Sequence, residues 1–351
     1  MVRIVHTGDM HFDSPFAALP PGVAQLRKEE QRETFLHIIE AVREYKADVL
    51  LIAGDMFDSR FVSIETIRFL TEAFSGIPDT AVFIAPGNHD FLTEDSPYCT
   101  ENFGENVHIF SGEPEGIPVG DAVVYGFGFQ SRFIKESAMP TFHLNTEEKN
   151  AILVMHGDVA SESEYNPISI ADLAASGFKY AALGHIHSYS GICHAGETAY
   201  AYCGIPEGRH FDEGEKGGFI RGEISDSGAN LEFVPISKRQ NITLEIDVTD
   251  LSGMEVVKQK ILGLLSSENL YKIVLCGKIS NTMYIDTALL QKELLNSCMY
   301  CKVQDKTTIA DDAAEDSLLA KLFAERLTSR TDEVGKKALR FGLEALRRQR
   351  K

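Results

Sequence analysis

Val2-Arg3-Ile4-Val5-His6-Thr7-Gly8-Asp9-Met10-His11 opens the chain, and the junction inside it decides the fold. Its first half is short, apolar and β-branched, as a strand buried on both faces is. Its second half turns at a glycine into an aspartate and a histidine two positions apart. Four more apolar runs, at 49–53, 82–85, 152–155 and 180–183, repeat the first half. Between them, Phe35, Ile38, Ile39 and Val42 recur at i, i+3, i+4 and i+7 within a helix expected over 23–46. His37 lies beside that stripe and is expected to be a partly buried structural residue. Ser63 can cap a second helix running to Phe74, with Glu65 near its positive end. Strands separated by helices predict βαβ units and an α/β fold.

The second half of the opening stretch also recurs. Gly54-Asp55-Met56-Phe57-Asp58, Gly87-Asn88-His89-Asp90, His156-Gly157 and Gly184-His185-Ile186-His187 each fall at or just beyond the end of an expected strand. Open α/β sheets bind ligands at that edge, where strand-to-helix loops meet. In Asp9-x-His11 and His185-x-His187, two donors two residues apart point to one side of an extended segment. Carboxylate, imidazole and amide donors without thiolate suit first-row divalent ions such as Mn2+, Fe2+ or Zn2+. Singly, each motif is a plausible turn or polar pair; five in this order predict a metal site built from Asp9, His11, Asp55, Asn88, His156, His185 and His187.

In this order the motifs resemble those of the calcineurin-like metallophosphoesterases. His6-Thr7-Gly8-Asp9-Met10-His11-Phe12-Asp13-Ser14-Pro15-Phe16, Ala53-Gly54-Asp55-Met56-Phe57-Asp58-Ser59-Arg60 and Gly204-Ile205-Pro206-Glu207-Gly208-Arg209-His210-Phe211-Asp212-Glu213 are similar to the bacterial SbcD/YhaO type of DNA-repair exonuclease, whose archaeal and eukaryotic branch is the Mre nucleases. The resemblance implies an α/β/β/α four-layer sandwich with a smaller α+β capping domain. It implies two ions, Mn2+ foremost, one held by Asp9, His11 and His187, the other by Asn88, His156 and His185, with Asp55 bridging. His89 becomes the acid at the leaving oxygen, its ring held by Asp58 or Asp90. Asp58, where the archaeal branch has a second histidine, places the chain on the bacterial side. Arg209 can contact a backbone phosphate through its planar fork, or form a structural salt bridge. The implied partners are DNA, an SbcC-like SMC-type ATPase and a second copy in a homodimer.

Beyond 240 the pattern changes to strand, helix, strand, helix, strand (242–248, 255–265, 271–279, 286–297, 299–304), without ligand motifs. The expected domains are therefore 1–240 catalytic, 241–306 capping and DNA-binding, and 307–351 a helical basic segment able to contact the ATPase. The lone Cys298-x-x-Cys301 lacks a second pair for zinc and reads as reduced thiols. No cationic stretch with an apolar core precedes the first strand, and no run approaches the roughly 18 residues of a membrane span, so a cytoplasmic protein is expected.

Charge argues against DNA: 34 Lys and Arg against 52 Asp and Glu give −18, whereas duplex affinity comes largely from basic residues. Residues 330–351 carry net +5, leaving −23 elsewhere. A general phosphoesterase acting on a small-molecule or phosphoprotein ester fits the same five motifs. A non-catalytic DNA-end-binding subunit does not, because every expected ligand and His89 are present.

Overall fold

The computed structural model describes residues 1–144, 150–214, 216–280, 283–309, 318–327 and 333–348. The chain divides into two compact units, Met1–Gln240 and Asn241–Lys351.

The first unit is built on two six-stranded sheets. In one, β1 (Val2–Thr7), β2 (Val49–Ile52), β3 (Ala81–Ile84) and β4 (Val107–Ile109) run parallel. In the other, β5 (Glu115–Val119) pairs antiparallel with β6 (Ala122–Phe127), and β6 runs parallel to β7 (Ala151–His156) and β8 (Tyr180–Gly184). The short β9 (Cys193–Ala195) is antiparallel to β10 (Thr198–Tyr202), which runs parallel to β8. β11 (Gly218–Ser225) and β12 (Gly228–Pro235) return to the first sheet and extend it antiparallel beyond β1.

The period-two alternation of side chains sorts the core into layers. Ile4, Val49, Leu51 and Phe83 from the first sheet meet Val124, Ile152, Val154 and Ala182 from the second. The outer face of the first sheet (Val5, Leu50, Ile52, Val82) packs on α1 (Pro21–Tyr45) and α2 (Ile64–Ser75) through Phe35, Ile38, Val42, Leu70 and Phe74. The outer face of the second (Leu153, Met155, Ala181, Leu183) packs on Leu173 of α4 (Ile170–Ala175) and on Phe178; the single-turn α3 (Pro97–Thr100) follows β3. The result is a mixed α/β fold in which helix, sheet, sheet and helix are stacked.

Ser63 caps α2 as expected, its hydroxyl accepting Thr66 N–H at 3.2 Å. α1 departs from expectation in two ways. His37 is exposed beside Leu36, because the turn that carries Phe35 and Ile38 inward directs it outward. Arg27, Glu30, Gln31 and Thr34, by contrast, are buried.

In the second unit, β13 (Asn241–Asp247), β14 (Leu270–Cys276) and β16 (Tyr300–Asp305) form a parallel sheet, with α5 (Met254–Leu262) and α6 (Thr287–Leu294) as crossovers. Val257, Ile261, Leu290 and Leu294 pack on Ile246, Ile273 and Leu275. The single strand expected over 271–279 is broken at Gly277, where φ is +94° and a Cβ would stand 2.2 Å from Asp247 Oδ1, and resumes as β15 (Lys278–Ile279) beside β17 (Thr308–Ile309). Cys298 and Cys301 are buried free thiols. α7 (Leu318–Leu327) and α8 (Glu333–Arg348) lie in the segment expected to be helical. The acidic Asp311, Asp312, Glu315 and Asp316 lie outside the described residues, as do Arg330, Arg350 and Lys351. Among the described residues no helix is long and apolar enough to cross a membrane.

Candidate metal centre

Parallel strands end together. The loops after β1, β2 and β3 bring Asp9, His11, Asp55, Asn88 and His89 to one edge, and the last residue of β7, His156, with His185 and His187 from the loop after β8, meets them there. The backbone there is strained: Asp9, His11, Asp55 and His185 have φ of 51°, 49°, 48° and 111°, a region L-residues avoid at a cost of about 1–3 kcal/mol each. Main-chain bonds from Asp9 N to Gly54 O and from His11 N to Asp55 O, both 2.9 Å, hold the first two loops together. At Gly54 (φ +89°) and Gly184 a side chain is excluded by close approach: a Cβ would stand 2.5 Å from His156 Nδ1 in the first case and 1.8 Å from Ala53 O in the second. The motif glycines thus let the two sheets meet.

The donor atoms converge in two groups about Asp55. His11 Nε2 faces His187 Nε2 at 3.2 Å, with Asp9 Oδ1 4.0 Å from the latter. Asn88 Oδ1 stands 2.9 Å from His156 Nε2 and 3.2 Å from His185 Nδ1. Asp55 Oδ2 lies 3.6 Å from His11 Nε2 and 3.6 Å from His156 Nε2, between the groups. Two donors bound to one first-row ion at about 2.1 Å are separated by roughly 3.0–3.4 Å, close to these spacings.

Proton placement makes the same point. His156 donates Nδ1–H to Ala53 O at 2.9 Å, so its Nε2 lone pair faces the carbonyl oxygen of Asn88, acceptor to acceptor. Burial lowers His156 and His185 to about 4 and depresses His11 strongly, keeping these imidazoles neutral. Burial raises the carboxyls of Asp9 and Asp55, which are 0% and 1% exposed. Buried acids pushed toward protonation and lone pairs facing one another are the arrangement a multivalent cation relieves. The residues fit divalent metal.

Around the donors, some positions differ from the reading of the sequence. His89 is held through Nδ1 by the main-chain carbonyl of Asp58 at 3.0 Å, not by a carboxylate, and its own N–H bonds Asp55 Oδ1 at 2.9 Å. Asp90 instead accepts from Gly87 N, Phe57 N and Tyr98 Oη. The Asp58 carboxylate pairs with Arg209 and lies 3.5 Å from His11 Nδ1. Arg209 has a side chain only 7% exposed and also meets Glu213 at 3.5 Å.

Two contributions escaped the sequence. Glu213 accepts from His187 Nδ1 at 2.7 Å; this bond and the Arg209 charge outweigh burial and hold its carboxyl near 2, while Glu213 and Asp9 outweigh burial to raise His187. The buried residues of α1 grip the loops: Gln31 Nε2 donates to Met10 O, and Arg27 bridges Glu30 at 2.7 Å and Glu207 at 2.6 Å. Thr34 Oγ1 also bonds Glu207, at 2.7 Å, and Arg239 bonds Glu30 at 2.7 Å.

Fold and donor set define a metal-dependent phosphoesterase, a hydrolase; residues 2–189 match the calcineurin-like phosphoesterase family, and the chain belongs to it. The chain is 29% identical over 279 residues to the uncharacterized metallophosphoesterase YhaO of Bacillus subtilis, covering 74% of this chain and 66% of that protein. It is 25% identical over 280 residues to the DNA double-strand break repair protein Mre11 of Aeropyrum pernix, 71% and 64% of the two chains being covered. With the Mre11 of Archaeoglobus fulgidus the identity is 24% over 346 residues, 86% and 72% of the two. The chain thus spans about two thirds of the length of the first two relatives.

Proposed function

We propose that this protein is a Mn2+-dependent DNA exonuclease or endonuclease of double-strand break repair. The observation that carries the hydrolytic part is the position of Asp55 Oδ2, 3.6 Å from an imidazole of each donor group. In this reading Asp9, His11 and His187 hold one ion, Asn88, His156 and His185 the other, and Asp55 both. Bound there, two ions (Mn2+, with Fe2+ or Zn2+ as alternatives) supply Lewis-acid stabilisation for in-line displacement at phosphorus.

The protein's own groups then have distinct tasks. His89 donates Nδ1–H to the Asp58 carbonyl; in the doubly protonated imidazolium form its Nε2–H is the proton given to the leaving oxygen, the ring returning to the neutral Nδ1–H form. Asp58 fixes the angle of that ring through its main chain and anchors Arg209 through its carboxylate. Arg209 stands in the same wall, where a phosphate of the backbone is its proposed contact. Residues 1–240 are the catalytic domain, 241–306 cap the substrate, and 307–351 meet an SbcC-like ATPase in the cytoplasm, with a homodimer as the assembly.

DNA as the ester is supported by the archaeal relatives, which are DNA double-strand break repair proteins, and by the Glu207-Gly208-Arg209 run. The net charge of −18 favours the second reading, a phosphoesterase for a small-molecule or phosphoprotein ester. Digestion of labelled single- and double-stranded DNA with Mn2+, beside hydrolysis of bis(p-nitrophenyl) phosphate, separates the two. The first reading expects both substrates to be cleaved and DNA to compete with the generic ester. Cleavage of the generic ester alone, unaffected by excess DNA, leaves only the second.

A further inference from the structure

The loop 207–213 is fastened at its start through the Glu207 carboxylate and at its end through the Glu213 carboxylate, and Glu213 reaches only one of the two donor groups. Glu213 Oε2 accepts Arg209 N–H at 2.5 Å and His210 N–H at 3.1 Å, closing the turn on itself. Its other oxygen accepts His187 Nδ1–H at 2.7 Å. That bond fixes the tautomer: with Nδ1 protonated, the lone pair of His187 sits on Nε2, which faces His11 Nε2 at 3.2 Å and Asp9. Among the described residues no carboxylate hydrogen-bonds a ring nitrogen of the other group. His156 is oriented by the Ala53 carbonyl, and His185 packs its ring 4.7 Å from that of Tyr165.

We infer that Glu213 is a positioning residue for one ion of the pair: it sets the tautomer and angle of His187, and so governs affinity at the Asp9–His11–His187 group while leaving the Asn88–His156–His185 group untouched. The inference rests on the two-ion reading above. Arg27, Thr34 and Lys238 N–H, all bonded to Glu207, hold the start of the loop. Glu213 is therefore presented to His187 by a braced segment, not by a free side chain on a mobile turn. Arg209 Nη2 stands 3.5 Å from Glu213 Oε1, the oxygen that accepts from His187, so the guanidinium that pairs with Asp58 also keeps this carboxylate ionised beside the imidazole.

The test is Mn2+ binding to the full chain, measured as stoichiometry by metal analysis after gel filtration and as stepwise affinity by calorimetry. The wild type is compared with E213A, E213Q, H187A and E213A/H187A. The expected result is two ions in the wild type and, in E213A, one of the two weakened about 10–100-fold with the other unchanged. E213Q, whose amide oxygen still accepts from Nδ1–H, recovers part of the loss. E213A has no further effect once His187 is gone, as two residues acting through one contact require. Circular dichroism identifies a variant that fails to fold; if E213A does, E213Q against the wild type carries the same comparison. Two ions bound with unchanged affinity in E213A or E213Q, or both ions weakened equally, overturns the inference. A wild type that holds fewer than two ions overturns the two-ion reading, and this inference with it, so the two failures are told apart.

Discussion

His89 sits where its role is hardest to read from contacts alone. Its ring meets that of His11 edge-on at 4.9 Å, and His11, Asp58 and His89 offer donor atoms within 4.8 Å of one another, a grouping that by itself could serve a metal. Arg209 occupies the Asp58 carboxylate, which takes one donor of that grouping, while Asp58 O holds His89 Nδ1 just as Ala53 O holds His156, so the metal content of a variant is what separates an acid from a ligand. With His89 as the acid, H89N is expected to keep wild-type Mn2+ content while kcat falls about 10²–10⁴-fold, the usual span of a general acid. Loss of an ion in that variant would make His89 a ligand. The donors themselves were legible because each sits in a short motif at a strand end. Glu213 was not, being 26 residues from His187 and joined to it only in three dimensions. One signal was available: a metal-binding histidine nearly always donates its second nitrogen to an acceptor, and an acidic residue in a loop of family-like sequence was a candidate for it.

Among the elements, β1, β2, β3, β7 and β8 were readable because parallel strands covered on both faces become unbroken apolar runs. The half-exposed edges β5, β9 and β12, such as Glu115-Gly116-Ile117-Pro118-Val119, carry no such run and went unread. α1 was misjudged for a related reason. Periodicity assigns its polar positions to solvent, yet Arg27, Glu30 and Glu207 are each 1% exposed, because their partners come from a loop some 180 residues away. Removing Arg27 leaves two buried carboxylates short of a cation. R27M is expected to lose about 3–5 kcal/mol in urea unfolding, where an exposed pair such as Arg43–Glu40 would contribute under 1 kcal/mol. The network also has a pH signature. Burial raises the Glu30 carboxyl, but hydrogen bonds from Arg239 and Arg27 outweigh this and lower it below its ordinary 4.5. The stabilisation is thus complete above about 4.5 and is lost as pH falls through the lowered folded value. E30Q should be less stable than wild type at neutral pH yet lose stability less steeply below 4.5. An equal acid slope in the two proteins would detach Glu30 from the acid response.

For the whole molecule, the decisive quantity is how much of its stability the centre holds back until metal arrives. Met1–Gln240 and Asn241–Lys351 are separate compact units, and every candidate donor lies in the first. Without cations, the first unit retains four ligand residues in left-handed backbone and two desolvated carboxyls raised above their ordinary range. A cation that binds only the folded form adds RT ln(1 + [L]/Kd), about 2.7 kcal/mol at a hundredfold excess over Kd. For a unit of this size that corresponds to a rise in Tm of roughly 5–10 °C per ion. Scanning calorimetry of the full chain with EDTA and then with Mn2+ should show one transition move by that amount while the other stays in place. Limited proteolysis after heating to the lower, metal-free transition assigns the moving one: protection gained with Mn2+ should map to Met1–Gln240. If both transitions move together, the second unit draws its stability from the metal centre as well, and the two units fold as one cooperative body. If neither moves, the strained loops hold their geometry without an ion, and the metal reading of the donor cluster fails on energetic grounds even before a substrate is tried.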